Sequence, residues 1–349
     1  MLVLGGGITG AGVALDAASR GYSVALLEQR DFASGTSSRS SKLVHGGLRY
    51  LQNFDLGLVR EALLERQLLV ALAPHLVRPL PLVVPAFAGA HPDRLVGVGL
   101  NLYDVMSVER RRARRGRRVR GADEDGPLDA SWSPERHRMI TGPEVLELLP
   151  ALAGREPTSG YLFYDCQTDD VRLVLTVLGE AERFGAVVAN RLRVTELVER
   201  QGRAVGVRAR DGATGAELVV RAETVVNATG VWADQLRPGE LADEAEVPRI
   251  RPSRGTHITL DQRDLPLRAG AIVPAGGGRT IFALPWLGRA LIGTTDNDYD
   301  GPLDLVAPSS ADVDYLLEAV NSFFGAALGP ADITGAYAGV RPLISTGDS

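Results

Sequence analysis

Cysteine, lysine, methionine and tryptophan are all scarce in this chain. A single cysteine, Cys166, among 349 residues excludes an internal disulfide and a cysteine metal cluster. Lysine occurs once, at Lys42, so the other 37 of the 38 basic residues are arginine. That balance reads as coding bias, and arginine abundance alone is no sign of anion binding. No uninterrupted apolar run reaches the roughly 20 residues that cross a bilayer as a helix. Positive charge is not in excess: the net charge is −5, which gives no general attraction to nucleic acid. With 45% hydrophobic and 23% charged residues, the chain has the composition of a soluble globular protein. Its length suits about two domains. No leader-like segment precedes the first strand-like run, so a cytoplasmic location is expected.

What is present begins with glycine. GGGITG at Gly5–Gly10 contains G-x-G-x-x-G, from Gly5, Gly7 and Gly10. It follows a short apolar run and opens a helical stretch, Ala11 to Arg20. A second strand-like run, Tyr22 to Leu27, ends in Glu28, eighteen residues past Gly10. This is the strand–turn–helix–strand setting of a dinucleotide fingerprint. The first glycine permits the turn, the second lets backbone approach a pyrophosphate, and the third lets helix and strand pack closely. The helix N-terminus offers unpaired N–H groups to phosphate, and Glu28 can accept hydrogen bonds from a ribose hydroxyl.

Further along, GTSSRSSKLVHGGLRYL spans Gly35 to Leu51. A helix is predicted from about Asp55 to Leu72, and Pro74, Pro79, Pro81 and Pro85 end it. The segment 160–175 is predicted to enter a long helix ending near Gly185. Strand-like runs at 186–196, 204–210 and 217–221, with glycine turns between them, predict a meander whose first strand carries Val188. VVNATG (Val225–Gly230) reads as a buried strand ending in a turn. Strands are expected over 247–300 and a helix over 312–324. The order predicts an α/β protein. A Rossmann-like doubly wound domain (residues 1–75, 160–240 and 331–349) interleaves with a mainly antiparallel β (α+β) domain (76–159 and 241–330). A meander set between the halves of a doubly wound sheet favours FAD over NAD.

The motifs GGGITGAG, GTSSRSSKLVHGGLRYL, YDCQTDDVRLVL, VVNATGVWAD, GTHITL, FALPWLGRALIGTTDNDYDGP and AGVRPL occur in that order. Together they resemble the FAD-dependent glycerol-3-phosphate dehydrogenases of the D-amino-acid-oxidase-like superfamily. The resemblance implies that Gly5, Gly7, Gly10 and Glu28 hold the ADP part of FAD. By the same resemblance Thr36, Ser37, Ser38, Ser41 and Lys42 cover the pyrophosphate and flavin. Val188 then passes the adenine, and Ala228, Thr229 and Gly230 close over the ribose-phosphate. Arg49, Tyr50, His257 and Arg341 are implied as substrate contacts, with Asp296 and Thr294 shaping the pocket. Arginine suits a phosphate because its planar fork donates two parallel hydrogen bonds.

The implied reaction is oxidation of sn-glycerol 3-phosphate to dihydroxyacetone phosphate, with electrons passed to a quinone. A histidine of near-neutral pKa suits removal of the C2 hydroxyl proton. His257 is preferred for this over His45, and Arg341 also stands near the chemistry. No metal is implied. Members of the family continue past GVRPL into a further arginine, a glycine–lysine segment and a C-terminal helical domain, so this sequence is expected to be a truncation whose own activity is in doubt. Two other readings stay open. One is a superfamily oxidoreductase acting on an amino acid or a 2-hydroxy acid. The other is a non-catalytic fragment that binds anionic membrane through Arg110 to Arg120, eight arginines in eleven positions.

Overall fold

The computed structural model describes residues 1–47, 56–87, 97, 99–102, 104, 136–236 and 249–345. Three buried apolar residues form β1 (Leu2–Leu4), and Gly7 caps α1 (Ile8–Ser19) in an extended conformation. α1 buries its small residues, among them Ala11, Ala14, Ala17 and Ala18, so the helix lies close to the sheet. β2 (Ala25–Leu27) runs parallel to β1. It is shorter than the predicted run from Tyr22, because the Tyr22 N–H turns back to the Ala17 carbonyl and Gly21 takes a φ of +86°.

β3 (Leu43–Val44) and α2 (Leu56–Leu72) follow, then β4 (Arg78–Ala86). Pro79, Pro81 and Pro85 lie within β4 and do not end sheet structure. They share one parity, so the missing N–H groups fall along one edge, and β13 pairs there only at Leu82 and Val83. β5 (Arg138–Thr141) leads into α3 (Gly142–Leu148), where Thr141 and Glu144 form a capping box. β6 (Ser159–Gln167) occupies the first half of the stretch predicted as the approach to a helix. Its aromatic and β-favouring residues make a strand. Asp169 then caps α4 (Asp170–Arg183) by accepting from the Arg172 N–H.

β7 (Val187–Ala189) pairs in parallel with β2. Val188 therefore sits in the parallel sheet and not on the meander as the sequence suggested. A turn at Asn190–Arg191, where Arg191 takes φ +56°, splits the predicted first run in two. The meander is β8 (Leu192–Arg200), β9 (Arg203–Asp211) and β10 (Glu217–Arg221), and β11 (Val225–Asn227) returns to the parallel sheet. The order β11–β1–β2–β7 places β1 centrally, as in a dinucleotide fold. Alternation then builds three layers. Val3 and Leu26 face α1 and α4 with Val174, Leu178 and Ala181. Leu2, Leu4 and Leu27 face the meander at Val207 and Ala209.

The rest of the chain forms β12 (Arg249–Asp261), β13 (Gly270–Ala275), β14 (Arg279–Trp286), β15 (Arg289–Gly293), β16 (Asn297–Asp298), α5 (Ser310–Phe324) and β17 (Ile333–Ser345). These strands join β3–β6 in a mixed, mainly antiparallel sheet. Ser309 caps α5, and Gly325 ends it in the left-handed region at φ +70°. α5 buries Leu316, Leu317, Val320, Phe323 and Phe324 against Ile258, Leu260, Ala271, Ile281 and Ile292. Residues 160–167 and 333–345, grouped above with the nucleotide domain, hydrogen-bond into this second sheet through β6 and β17. β17 pairs with β12 along nearly its whole length.

Candidate functional site

The fingerprint glycines are packed against backbone. A Cβ on Gly10 would stand 1.9 Å from the Gly5 carbonyl oxygen, and one on Gly5 2.5 Å from that of Ala228. Gly5 also has φ +105°. Only glycine lets these pieces meet. At the start of α1 the Ile8 N–H donates to Ser37 Oγ at 2.9 Å, so a loop hydroxyl already stands where a helix N-terminus attracts phosphate. Glu28, 9% exposed at the end of β2, accepts from the Gly6 N–H at 2.7 Å and the Arg30 N–H at 2.8 Å. A carboxylate keeps further lone pairs beyond those two. In VVNATG the turn is organised by Asn227, which sequence reasoning passed over. Its Oδ1 accepts from the Thr229 hydroxyl at 2.6 Å and its Nδ2 donates to the Ala233 carbonyl at 3.0 Å. Gly230 takes φ +60°.

The 36–42 loop crosses β17. The Thr36 hydroxyl donates to the Val340 carbonyl at 2.6 Å and Arg39 Nη1 to that of Ala338 at 3.2 Å. A Cβ on Gly339 would come within 2.7 Å of Arg39 Cβ, so β17 is bare where the loop passes. The Ser38 hydroxyl donates to the Gly35 carbonyl at 3.4 Å. Lys42, with φ +60°, turns its ammonium inward. Nζ donates to Asp170 Oδ1 at 2.7 Å and Oδ2 at 2.9 Å, and to the Ser38 carbonyl at 2.6 Å. The Ser40 hydroxyl donates to the same carboxylate at 2.8 Å. Lys42 thus fastens the loop to the start of α4, and Asp170 is a second residue the sequence reading passed over.

His257 is 2% exposed. In the paired strands it stands between Gly293 on β15 and Tyr337 on β17. A Cβ on Gly293 would be 2.2 Å from His257 Cδ2, so the ring occupies space only glycine leaves open. Nε2 lies 2.9 Å from Ser41 Oγ, and Nδ1 has no hydrogen-bond partner among the described residues. Burial, with the charges of Arg341 and Lys42, pushes the imidazole pKa down to about 3. This corrects the expectation of a near-neutral pKa: His257 is held in its neutral form. His45 is exposed, and its Nδ1 accepts from the Gly47 N–H at 3.0 Å.

Arg341 lies on the same face of β17 as Tyr337, and its guanidinium passes over Gly255, where a Cβ would be 2.7 Å from Nη2. Nη1 donates to Asp296 Oδ1 at 3.1 Å; Nη2 donates to Thr294 Oγ1 and the Thr295 carbonyl, each at 3.1 Å. Asp296 and Thr294 thus hold the guanidinium of this arginine in place. Ser253, which bonds Asp296, joins them. Ser41, His257, Tyr337 and Arg341 come together on β12, β17 and the loop that crosses them. Arg49, Tyr50 and Arg110–Arg120 lie outside the described residues. Among those described, no group of histidine, cysteine or carboxylate side chains could hold a metal.

The FAD-dependent oxidoreductase family matches over residues 1–349. The chain belongs to that family. A glycerol-3-phosphate dehydrogenase of Mycobacterium leprae is 41% identical over 346 residues, 99% of this chain and 55% of the relative. An alpha-glycerophosphate oxidase of Streptococcus pyogenes is 36% identical over 352 residues, 99% of this chain and 54% of the relative. The glycerol-3-phosphate dehydrogenase of Bacillus halodurans, solved with FAD, superposes with a TM-score of 0.75 at 33% identity, covering 99% of this chain and 57% of that one. The chain therefore spans about half the length of the curated relatives it matches.

FAD is the cofactor of this family, and the residues fit it. Gly5 and Gly10 let the β1 turn, the start of α1 and the Ala228 backbone close up with no side chain between them, and Gly7 adds none at the helix N-terminus, where a pyrophosphate would meet backbone N–H groups. The unpartnered Nδ1 of buried His257 is a polar atom still to be satisfied. Among the described residues no helix is long and apolar enough to cross a membrane.

Proposed function

We propose that the chain carries the flavin-holding and substrate-holding residues of an enzyme that oxidises sn-glycerol 3-phosphate to dihydroxyacetone phosphate. The observation that carries this reading is the placing of a buried imidazole, His257, and the phosphate-suited fork of Arg341 on the neighbouring strands β12 and β17, close enough for the arginine's charge to act on the ring. The dehydrogenase and oxidase relatives are both named for that substrate. In this reading residues 1–75, 160–240 and 331–349 serve the flavin and 76–159 and 241–330 the substrate, although β6 and β17 of the first set pair within the second sheet. Gly5, Gly7, Gly10, Glu28, Ser37 and Ala228–Gly230 hold the ADP part, with Val188 beside the adenine. Thr36, Ser38 and Ser41 line the flavin side, and Lys42 holds their loop in shape. Arg49 and Tyr50 join Arg341 at the substrate.

FAD, when bound, supplies the two-electron acceptor for the hydrogen at C2. Arg341 fixes the phosphate by charge and fork geometry. The C2 hydroxyl proton passes by way of Ser41 Oγ to His257 Nε2, because Ser41 is the half-exposed member of a pair whose histidine is buried. Charging this imidazole is costly in a buried, cationic setting, and the negative charge of the substrate phosphate offsets that cost. A quinone would be the electron acceptor, and the eight arginines of 110–120 supply the charge that an anionic membrane surface would attract.

Anaerobic titration of the FAD-loaded protein tests the activity. sn-Glycerol 3-phosphate should bleach the oxidised flavin, while glycine, sarcosine and 2-hydroxyglutarate should not. Reoxidation with a soluble quinone and with oxygen separates dehydrogenase from oxidase behaviour, and sedimentation with anionic and neutral liposomes tests the membrane contact.

A further inference from the structure

Building on the reading of His257 as proton acceptor, we propose that Tyr337 is its positioning residue: the phenol ring fixes the imidazole plane, and the phenol hydroxyl ties the same site to the loop that carries Ser41. The two rings stack with centroids 4.9 Å apart and planes 15° apart. The Tyr337 hydroxyl donates to the Ser40 carbonyl at 2.8 Å. The next residue, Ser41, meets His257 Nε2 at 2.9 Å. The contacts therefore close a circuit: Tyr337 to Ser40, Ser40 to Ser41 along the chain, Ser41 to His257, and His257 back to Tyr337 across paired strands.

A histidine ring without such a frame can rotate about χ2 and present either nitrogen. Here tilting the ring out of its plane would break the stack, a half-turn would break the Ser41 bond, and the ring lies in the space that bare Gly293 leaves open. Burial, with Asp170 nearby, keeps the phenol well above its ordinary range, so the hydroxyl remains a donor at every working pH. Lys42 Nζ lies 5.3 Å from the Tyr337 ring centroid and is itself held by Asp170, so the ring is packed from the loop side as well. Tyr337 is placed to act through His257 and the loop.

The test uses FAD-loaded protein as wild type, Tyr337→Phe, Tyr337→Leu and His257→Asn. Flavin content, kcat and KM are measured for each, and the side-chain 15N shifts of selectively labelled histidine report the tautomer. With five histidines in the chain, loss of one signal in His257→Asn assigns the resonance. The expected order of kcat is wild type, then Phe, then Leu. Phe keeps the stack but frees Ser40, and Leu loses both contacts and about tenfold or more. KM should stay within about twofold and flavin content near wild type, while the single wild-type tautomer becomes a mixture. A purely structural role would lower thermal stability and flavin content and leave kcat per bound flavin and the tautomer unchanged.

Wild-type kcat and tautomer in both Tyr337 variants would overturn the proposal. If Leu does not fold, the same result in Phe alone overturns it. Wild-type kcat in His257→Asn would instead remove the underlying reading of His257.

Discussion

Ser41 Oγ lies 2.9 Å from His257 Nε2, joining a loop of the nucleotide-binding half to the middle of β12. Neither partner could be matched to the other from sequence, since 216 positions separate them. The bond makes the position of the loop and the state of the imidazole depend on one another. A change that moves either should be read in the chemistry before it is read in stability.

Gly293→Ala is the smallest such change. Its Cβ would fall 2.2 Å from His257 Cδ2 and 2.8 Å from Nε2. The ring cannot retreat without leaving Tyr337 or Ser41. Misplacement of a reacting group on the order of 1 Å costs about 10²-fold. Stopped-flow flavin reduction should slow by about that factor with FAD still bound, and an unchanged rate would show that the imidazole is not used.

Gly10→Ala tests the cofactor cradle. Its Cβ would stand 1.9 Å from the Gly5 carbonyl oxygen, a backbone atom with no rotamer to change. Overpacking of this kind costs about 1–3 kcal/mol and shifts the backbone. The variant should purify with little flavin and a lowered Tm, read from the flavin-to-protein absorbance ratio and a melting curve. Full flavin occupancy would exclude the close-packing role of Gly10.

Stability should fall with pH earlier than the carboxylates alone would cause. His257 has its folded pKa near 3, below its ordinary 6.5. Between those values the unfolded chain binds a proton that the folded chain refuses. The contribution is therefore complete above about pH 6.5 and is lost as pH falls, by about 1.4 kcal/mol per unit. Asp312 is also held low: burial opposes this, but the bonds from Thr256 and Arg254 win, so its own loss begins only below 3.8. Urea unfolding between about pH 7 and pH 4.5 should show the slope in wild type and not in His257→Asn. The same slope in both proteins would mean that His257 charges freely when folded.

Much of the frame was legible because local chemistry and topology agree. Gly5–Gly10, Leu2–Leu4 and Glu28 form the expected strand–turn–helix–strand, and the helices near 55–72 and 312–324 match α2 and α5 closely. Other features depend on partners that no local pattern reveals. Val188 reads like a meander residue, and only pairing with β2 places it in the parallel sheet. β6 reads as a prelude to α4 until Asp169 is seen to cap the helix. The family resemblance places Lys42 on the loop that covers the pyrophosphate and flavin, and no local pattern reveals that its ammonium also meets Asp170, far along the chain. Tyr337 had a usable signal: it lies four positions before Arg341, on the same face of one strand.

The Lys42–Asp170 pair should behave as a buried clamp. The two side chains are 10% and 11% exposed. Removing one partner of a buried pair costs about 3–5 kcal/mol, because the other charge stays buried. Asp170→Ala should lose stability on that scale in urea unfolding, and Lys42→Met with Asp170→Leu should recover much of it. If the double variant also retains FAD, Lys42 serves the loop and not the pyrophosphate. Loss of FAD with stability restored would give Lys42 a direct part in binding.

Arg341→Ala should weaken the handling of substrate and leave FAD in place. The guanidinium is aimed by Asp296, Thr294 and the Thr295 carbonyl, all on one short segment after β15. The ion pair with Asp296 is part-exposed, with side chains 33% and 45% accessible, so it is worth at most about 1 kcal/mol and exchanges readily for a phosphate. A charged hydrogen bond to phosphate contributes more, about 1.5–3 kcal/mol. The balance favours substrate over Asp296, and kcat/KM for glycerol 3-phosphate should fall at least about tenfold in the alanine variant, chiefly through KM. Arg341→Lys restores the charge without the planar fork, so it should recover only part of the loss. Steady-state kinetics at fixed ionic strength decide the matter. Equal kcat/KM in wild type and Arg341→Ala would place the phosphate elsewhere, and full recovery in the lysine variant would mean that charge alone, not the fork, holds the substrate.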